Sequence, residues 1–395
     1  MSATGPTEPP SDTAAPAGCT ISHRVTLQGA LALGAALLLL VPPIRTAWQS
    51  TLGSRWAYIL LLSALVAFGS TPLIMRLAFR WRALDYPASR KVHSAPTPLL
   101  GGLAVFLGFL VSTLANSIID DQVVAILIGA GILVLTGILD DLRGLPAAFK
   151  LLAQAAAVAA VMASGVMLTL PPRSGIGLLL NGILTAVWIL GITNAMNFFD
   201  GMDGLATGLA IITAGFLGLV AVQSDQPFLG WFAAALAGGC CGFLPFNFRR
   251  KQPAAIFLGD SGSTFLGFIL ACLAVKGEWA ESGIIDLATP ILIFWIFIFD
   301  MTHITVMRVA TGKVRSLHDW IAYVGKDHLH HRLDALLHSH RKTVLLIFLL
   351  SIAMGLGAVA LRNARVIDSV LLIAQALIIL LIISILERSG HNHEP

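Results

Sequence analysis

The sequence predicts an all-α polytopic integral membrane protein: an eleven-helix core bundle, an extra N-terminal helix, and an active site at the cytoplasmic face. Three observations carry this. Of 395 residues 56% are hydrophobic and only 12% charged, whereas soluble domains carry roughly 25% charged residues. Apolar runs of about 20 residues, long enough to span a bilayer, recur along nearly the whole chain. The remaining polar residues gather in clusters beside alternate ends of those runs.

In chain order, residues 1–25 make a disordered tail, because 1–22 are rich in Pro, Ser, Thr and Ala and offer little to bury. Residues 26–43 form an apolar run ending at Pro42-Pro43. It reads as a membrane helix or as a signal-like segment. The tail before it, with His23 and Arg24 just upstream, favours an uncleaved anchor, so 26–56 is an extra helix and its loop. Eleven spans follow at about 57–79, 99–119, 122–139, 148–167, 176–195, 204–222, 228–246, 262–276, 284–306, 343–361 and 366–387. They form one membrane domain, 57–387, with 388–395 as a C-terminal tail.

The connections alternate in charge. Those at 80–98, 140–147, 196–203, 247–261, 307–342 and the tail hold seventeen Lys and Arg, with Lys150 included. The other set holds six, with Lys276 counted. By the positive-inside rule the first set is cytoplasmic. The sequence pI near 9.0 reflects these loops and is no sign of nucleic acid. Cys19 is in the tail and Cys240, Cys241 and Cys272 lie in apolar runs, which gives neither a disulfide framework nor a Cys metal spacing.

Five polar patches lie on the cytoplasmic set. The first holds Arg90, Lys91 and His93 before Pro96-Thr97-Pro98 and Gly101-Gly102. It reads as a basic loop on anionic lipid or as a phosphate clamp. The second is Asp140-Asp141 with Lys150 beyond. Two acids at a helix C-terminus oppose the macrodipole by roughly 0.3–1 kcal/mol each, so a metal, a cationic partner or acid/base work explains them better than helix stability. The third is Asn194, Asn197, Asp200 and Asp203, an amide or carboxylate every third residue, with Gly201 and Gly204 breaking the helix. It is a polar hairpin capped by Asp203 or a site for a cation or polar ligand. The fourth runs from Asn247 through Arg249-Arg250-Lys251 to Phe257-Leu258-Gly259-Asp260-Ser261-Gly262-Ser263. Asp260 and Ser261 are good helix caps, and the free amides there also attract anions. The fifth is Asp300 and His303, then Arg308 and Asp327-His328-Leu329-His330-His331-Arg332. Asp300 and His303 at i, i+3 can be a buried pair. The histidines suggest zinc, but no Cys is near and the surrounding acids suit a hard ion. They read as donors to phosphate or sugar. Acids imply Mg²⁺ or Mn²⁺, bases imply phosphates, and the absence of a Walker A loop points to chemistry on a lipid partner at the bilayer surface.

These patches, in this order over about residues 57–387, resemble the polyprenyl-phosphate N-acetylhexosamine-1-phosphate transferases (glycosyltransferase family 4). The motifs are Arg-Lys-x-His with Pro-Thr-Pro and Gly-Gly, Asp-Asp, Asn-x-x-Asn-x-x-Asp-Gly-x-Asp-Gly-Leu-Ala, Gly-Asp-Ser-Gly-Ser and His-x-His-His-Arg. The last looks like the branch that uses UDP-N-acetylglucosamine. The resemblance implies a Mg²⁺-dependent (or Mn²⁺-dependent) enzyme of the bacterial cytoplasmic membrane. It would move a sugar 1-phosphate from a UDP-sugar to undecaprenyl phosphate and release UMP, starting a cell-envelope glycopolymer. It implies Asp260 as chief metal ligand, with Asp140 and Asp141 near the metal and lipid phosphate. Asn197, Asp200, Asp203, Asn247 and Phe257 match positions around the uridine and pyrophosphate. Lys91 and Lys150 would lie near phosphates, and His328, His330, His331 and Arg332 near the pyrophosphate or sugar. Arg90, His93, Asn194, Ser261 and Asp327 join the binding candidates. Partners are the UDP-sugar, the polyprenyl phosphate and membrane lipids, with no nucleic acid; relatives suggest a homodimer. The segment between Gly312 and Asp327, with His318, Asp319 and Trp320, is longer than the resemblance leads one to expect. Another UDP-N-acetyl sugar, UDP-N-acetylmuramoyl-pentapeptide included, is the alternative donor, and a transporter of anionic substrates is the alternative class.

Overall fold

The computed structural model describes residues 22–50, 52–86, 96–170, 175–280, 283–316, 325, 327–361 and 365–391. The expected tail 1–25, apart from its last residues, the loop residues Arg90, Lys91 and His93, and His318, Asp319 and Trp320 lie outside these.

Helices occupy all eleven expected span positions and the N-terminal run. They are α1 (His23–Leu40), α2 (Pro42–Gln49), α3 (Leu52–Trp81), α4 (Gly101–Ala115), α5 (Asp121–Arg143), α6 (Ala147–Ala163), α7 (Ile176–Phe199), α8 (Leu205–Gln223), α9 (Pro227–Asn247) and α10 (Asp260–Lys276). The rest are α11 (Gly283–Ile293), α12 (Trp295–Ala310), α13 (Leu329–Leu337), α14 (His340–Ala360) and α15 (Val366–His391). Among the described residues eight are long and apolar enough to cross a membrane, nine if α11 and α12 count as one span. This is an all-α polytopic membrane protein. A two-residue ribbon, β1 (Leu84–Asp85) with β2 (Thr97–Pro98), is its one addition among the described residues.

The bundle is built around α10. Residues 261–275 are buried throughout, so this helix meets protein on every side and its 17 residues need not match the bilayer. Helices α4, α5 and α7 pack on it. The outer faces of the surrounding helices present aliphatic side chains instead: Leu135 of α5, Leu152 of α6 and Val187 of α7 are all exposed, as a lipid-facing surface requires.

Two departures from the sequence reading have local causes. Pro42 and Pro43 end one helix and also begin the next, α2, because a proline in a first turn forfeits no helical hydrogen bond. The N-terminal run is helical as expected and packs along α3, where Arg76 donates to Thr26 Oγ1 at 2.7 Å and Tyr58 donates to the Leu39 carbonyl at 3.0 Å. The span expected at 284–306 is two helices meeting at 78°. Phe294 is the pivot. It is fully buried, with its ring 5.5 Å from Trp188 and 6.1 Å from Phe297, and the chain turns around it so that α12 lies against α7. The connection 307–342 also contains a helix, α13.

Candidate active site

One end of the bundle collects the C-termini of α5, α7, α9 and α12 and the N-termini of α4, α6, α8, α10 and α13. Its floor is the start of α10. The first amides of any helix lack partners within it. Here the Asp141 carboxylate supplies them, accepting from the amides of Asp260 at 3.0 Å and Ser261 at 3.3 Å. The acid that opposes the dipole of its own helix thus sits at the favourable end of another. Backbones meet on this floor. A Cβ on Gly102 would lie 2.1 Å from Gly262 Cα, and one on Gly137 2.3 Å from Ser261 Cα. Only glycine allows α4, α5 and α10 to approach so closely.

Above the floor two carboxylates share one ammonium. Lys150 Nζ lies 2.8 Å from Asp140 Oδ2 and 2.9 Å from Asp260 Oδ2. Leu145 donates its amide to Asp140 Oδ1 at 2.5 Å. Asn197 Nδ2 donates to Asp260 Oδ1 at 3.0 Å and to Ser263 Oγ at 2.9 Å. The acids expected together at a metal, Asp140, Asp141 and Asp260, are therefore divided. Two flank the lysine and one caps a helix. Among the described residues no cluster of three or more His, Cys, Asp or Glu forms a metal-binding group.

The turn after α7 brings two more acids. Desolvation, followed by the charges of Asp260, Asp141 and Asp203, pushes the Asp200 carboxyl well above the usual carboxylate range, while the Gly259 amide acts the other way. Asp203 accepts from the Ala254 amide at 2.8 Å, pinning the 248–259 connection. Asn247 is buried; it accepts from the Gly204 amide (3.1 Å) and Thr207 (3.0 Å) and donates to the Ile256 carbonyl (3.1 Å). Asn194 exchanges hydrogen bonds with Gln154 and donates to the Leu190 carbonyl, so it ties α7 to α6. Phe257 joins the floor through its backbone, donating to Pro98 and accepting from Gly101.

The wall is the histidine segment. Arg308 grips Asp327 with two hydrogen bonds of 2.7 Å and holds its carboxyl below the usual range. Asp300 does not pair with His303, three residues on. It binds His328, and His303 stacks on Phe299 instead. His331 and Arg332 follow in the first turn of α13. His328 lies on Phe198 with centroids 4.7 Å apart, and His330 lies beside Phe199 at 5.7 Å, which joins wall to floor. The signal for Asp300 was in the sequence, an acid within an apolar run. Nothing there named its partner.

His330 is 1% exposed and neither ring nitrogen has a hydrogen-bond partner among the described residues. Burial, then the nearby His331 and His328, pull its pKa well below 6.5. The unfolded chain therefore takes up a proton first as pH falls. The stability contributed by the neutral ring is complete above about 6.5 and is lost as pH drops towards the lower, folded value. The melting temperature in detergent should decline from about pH 7.5 to pH 5.5, and His330→Gln should decline less.

Comparison with known proteins places these residues in context. Residues 123–278 match glycosyl transferase family 4. The chain is 34% identical over 331 residues to the probable undecaprenyl-phosphate N-acetylglucosaminyl 1-phosphate transferase of Bacillus subtilis, covering 82% of this chain and 90% of that one. It is 32% identical over 375 residues to the decaprenyl-phosphate N-acetylglucosaminephosphotransferase of Mycobacterium tuberculosis, covering 85% and 90%. Similarity to the phospho-N-acetylmuramoyl-pentapeptide-transferase of Moorella thermoacetica, 34% over 239 residues, covers 55% and 74%.

Proposed function

The chain belongs to glycosyl transferase family 4, and on that premise we propose that it transfers N-acetylglucosamine 1-phosphate from UDP-N-acetylglucosamine to a polyprenyl phosphate and releases UMP. The observation that carries the chemistry is the Asp140–Lys150–Asp260 cluster seated on the N-terminus of α10. Support for the sugar is that relatives named for N-acetylglucosamine cover 82% and 85% of the chain, against 55% for the muramoyl-pentapeptide relative. Support for a cytoplasmic site in the bacterial inner membrane is the excess of Lys and Arg in the connections at the site end.

The residues fit a hard divalent cation. Asp140 and Asp260 already aim one oxygen each at a single positive centre, the Lys150 ammonium, and their oxygens suit Mg²⁺ or Mn²⁺. Asp260 and Asp140 would hold the ion, which when bound would neutralise pyrophosphate charge. In the reaction, an oxygen of the lipid phosphate forms a bond to the β-phosphorus and the bond to the UMP oxygen breaks, leaving the sugar–phosphate bond intact. A phosphate monoester with a second pKa near ~6 is mostly dianionic at neutral pH, so positioning matters more than a base. Lys150 binds and orients the phosphates beside the histidine wall.

Purified protein given UDP-N-acetylglucosamine, undecaprenyl phosphate and Mg²⁺ should release UMP, and omission of any one should stop it. Release only with UDP-N-acetylmuramoyl-pentapeptide would move the donor assignment. Silence with every UDP-sugar in folded protein would sink the transferase reading.

A further inference from the structure

Asp300 sits in α12, inside an apolar run, and is wholly buried. A buried carboxylate is costly unless it is paired and hydrogen-bonded, so its partners reveal its use. Both oxygens are engaged, and neither partner belongs to α12. Oδ2 lies 2.8 Å from His328 Nδ1, and Oδ1 accepts from the Leu329 amide at 2.6 Å. The acid therefore serves the start of α13, 28 residues further on.

The ring it holds has little freedom. Phe198, at the end of α7, stacks against it at 4.7 Å and 28°. His330 lies nearly parallel to it at 5.9 Å and 18°. The turn at Phe294 lays α12 along α7 and so brings acid and aromatic to the same imidazole. A carboxylate only accepts hydrogen bonds, so the His328 proton belongs on Nδ1. Nε2 then carries the lone pair. It makes no hydrogen bond to a described residue, and it is not sealed in the interior as both ring nitrogens of His330 are.

We infer that Asp300 is a positioning residue that holds His328 as the tautomer protonated on Nδ1 and leaves the Nε2 lone pair free to accept a hydrogen bond from a hydroxyl or amide N–H of the sugar donor. The substrate in this statement rests on the transferase reading; the tautomer does not. The other charged or titratable groups near the ring are Asp327, already bound by Arg308, and His330 and His331 of α13. Phe198 of α7 brings no charge.

Asp300→Asn tests this with little threat to the fold. Its Oδ1 can still accept from Leu329, while its Nδ2 donates to His328 Nδ1 and drives the proton to Nε2. In full-length protein labelled with ¹⁵N-histidine and held in lipid nanodiscs, the His328 signal, assigned by its loss in His328→Gln, should show Nδ1–H in the wild type and Nε2–H in Asp300→Asn. UMP release should lose about 10²-fold or more in kcat, with KM for UDP-N-acetylglucosamine changed by less than about threefold. Asp300→Glu should recover at least about tenfold of that loss. Nε2–H in the wild type, or an Asp300→Asn protein with unchanged tautomer or unchanged kcat, would overturn the inference. A wild type that transfers no sugar phosphate would fail the transferase reading instead, while the tautomer measurement would still decide the role of Asp300.

Discussion

Asp260→Asn should cost UMP release about 10³-fold or more, equivalent to about 4 kcal/mol of transition-state stabilisation, in protein that still inserts and folds. The two halves of this expectation come from different atoms. Asn retains an oxygen to accept from Asn197, and the Asp141 cap reaches the backbone amide of residue 260, which the substitution leaves alone. What disappears is one of the two carboxylates that converge on Lys150. That removes half of the anionic pair that would hold a divalent ion and unbalances the lysine. The measurement is UMP release at saturating Mg²⁺ beside a thermal melt in the same detergent. A variant retaining more than about a tenth of the activity would show that Asp260 is not the central group, and a variant that fails to melt cooperatively would return the effect to folding.

Gly137→Ala should be damaging and Gly131→Ala harmless, although both sit in α5 and gain the same methyl group. At Gly131 the added Cβ meets nothing within 4 Å, and the higher helix propensity of Ala is worth up to ~1 kcal/mol. At Gly137 the Cβ would stand 2.3 Å from Ser261 Cα and 2.4 Å from Ser261 N. Backbone cannot rotate away as a side chain can. The start of α10 has to withdraw by about 1 Å, carrying Asp260 with it. Overpacking of this kind costs about 1–3 kcal/mol or more, and a shift of that size in a catalytic group costs about 10² in rate. Melting temperature and UMP release of the pair, measured together, check both halves. Equal behaviour of the two variants would refute the close packing of α5 on α10.

The membrane architecture was legible because it rests on one strong signal, the length and spacing of apolar runs, and all eleven runs are helical. The gathering of polar patches at one end was legible for the same reason, since alternate ends of antiparallel spans share a face. Side-chain partners were not. Asp300 and His303 suggest a pair by helical spacing, yet the partner is His328, because the break at Phe294 directs α12 towards a segment the sequence cannot locate. Asp140 and Asp141 are equal neighbours in the chain, but successive helical residues point in different directions, so one reaches Lys150 and the other the amides of α10. Asn194 and Asn197 carry the same side chain one turn apart. The first meets Gln154 on α6 and the second meets Asp260 on α10. Spacing could select these residues but could not assign them to neighbours.

The glycine contacts beneath the site also bear on how such a protein can change over generations. Where Gly102 meets Gly262 and Gly137 meets the Ser261 backbone, an added side chain would collide with main chain, so nearly every substitution at these glycines is a collision. The opposite wall is held by side-chain pairs, Asp300 with His328 and Arg308 with Asp327, and pairs can be rewritten together. Heritable variation in what the site accepts therefore has an outlet on one side only: a lineage drifting towards a different sugar edits the histidine wall and inherits the phosphate-handling floor intact.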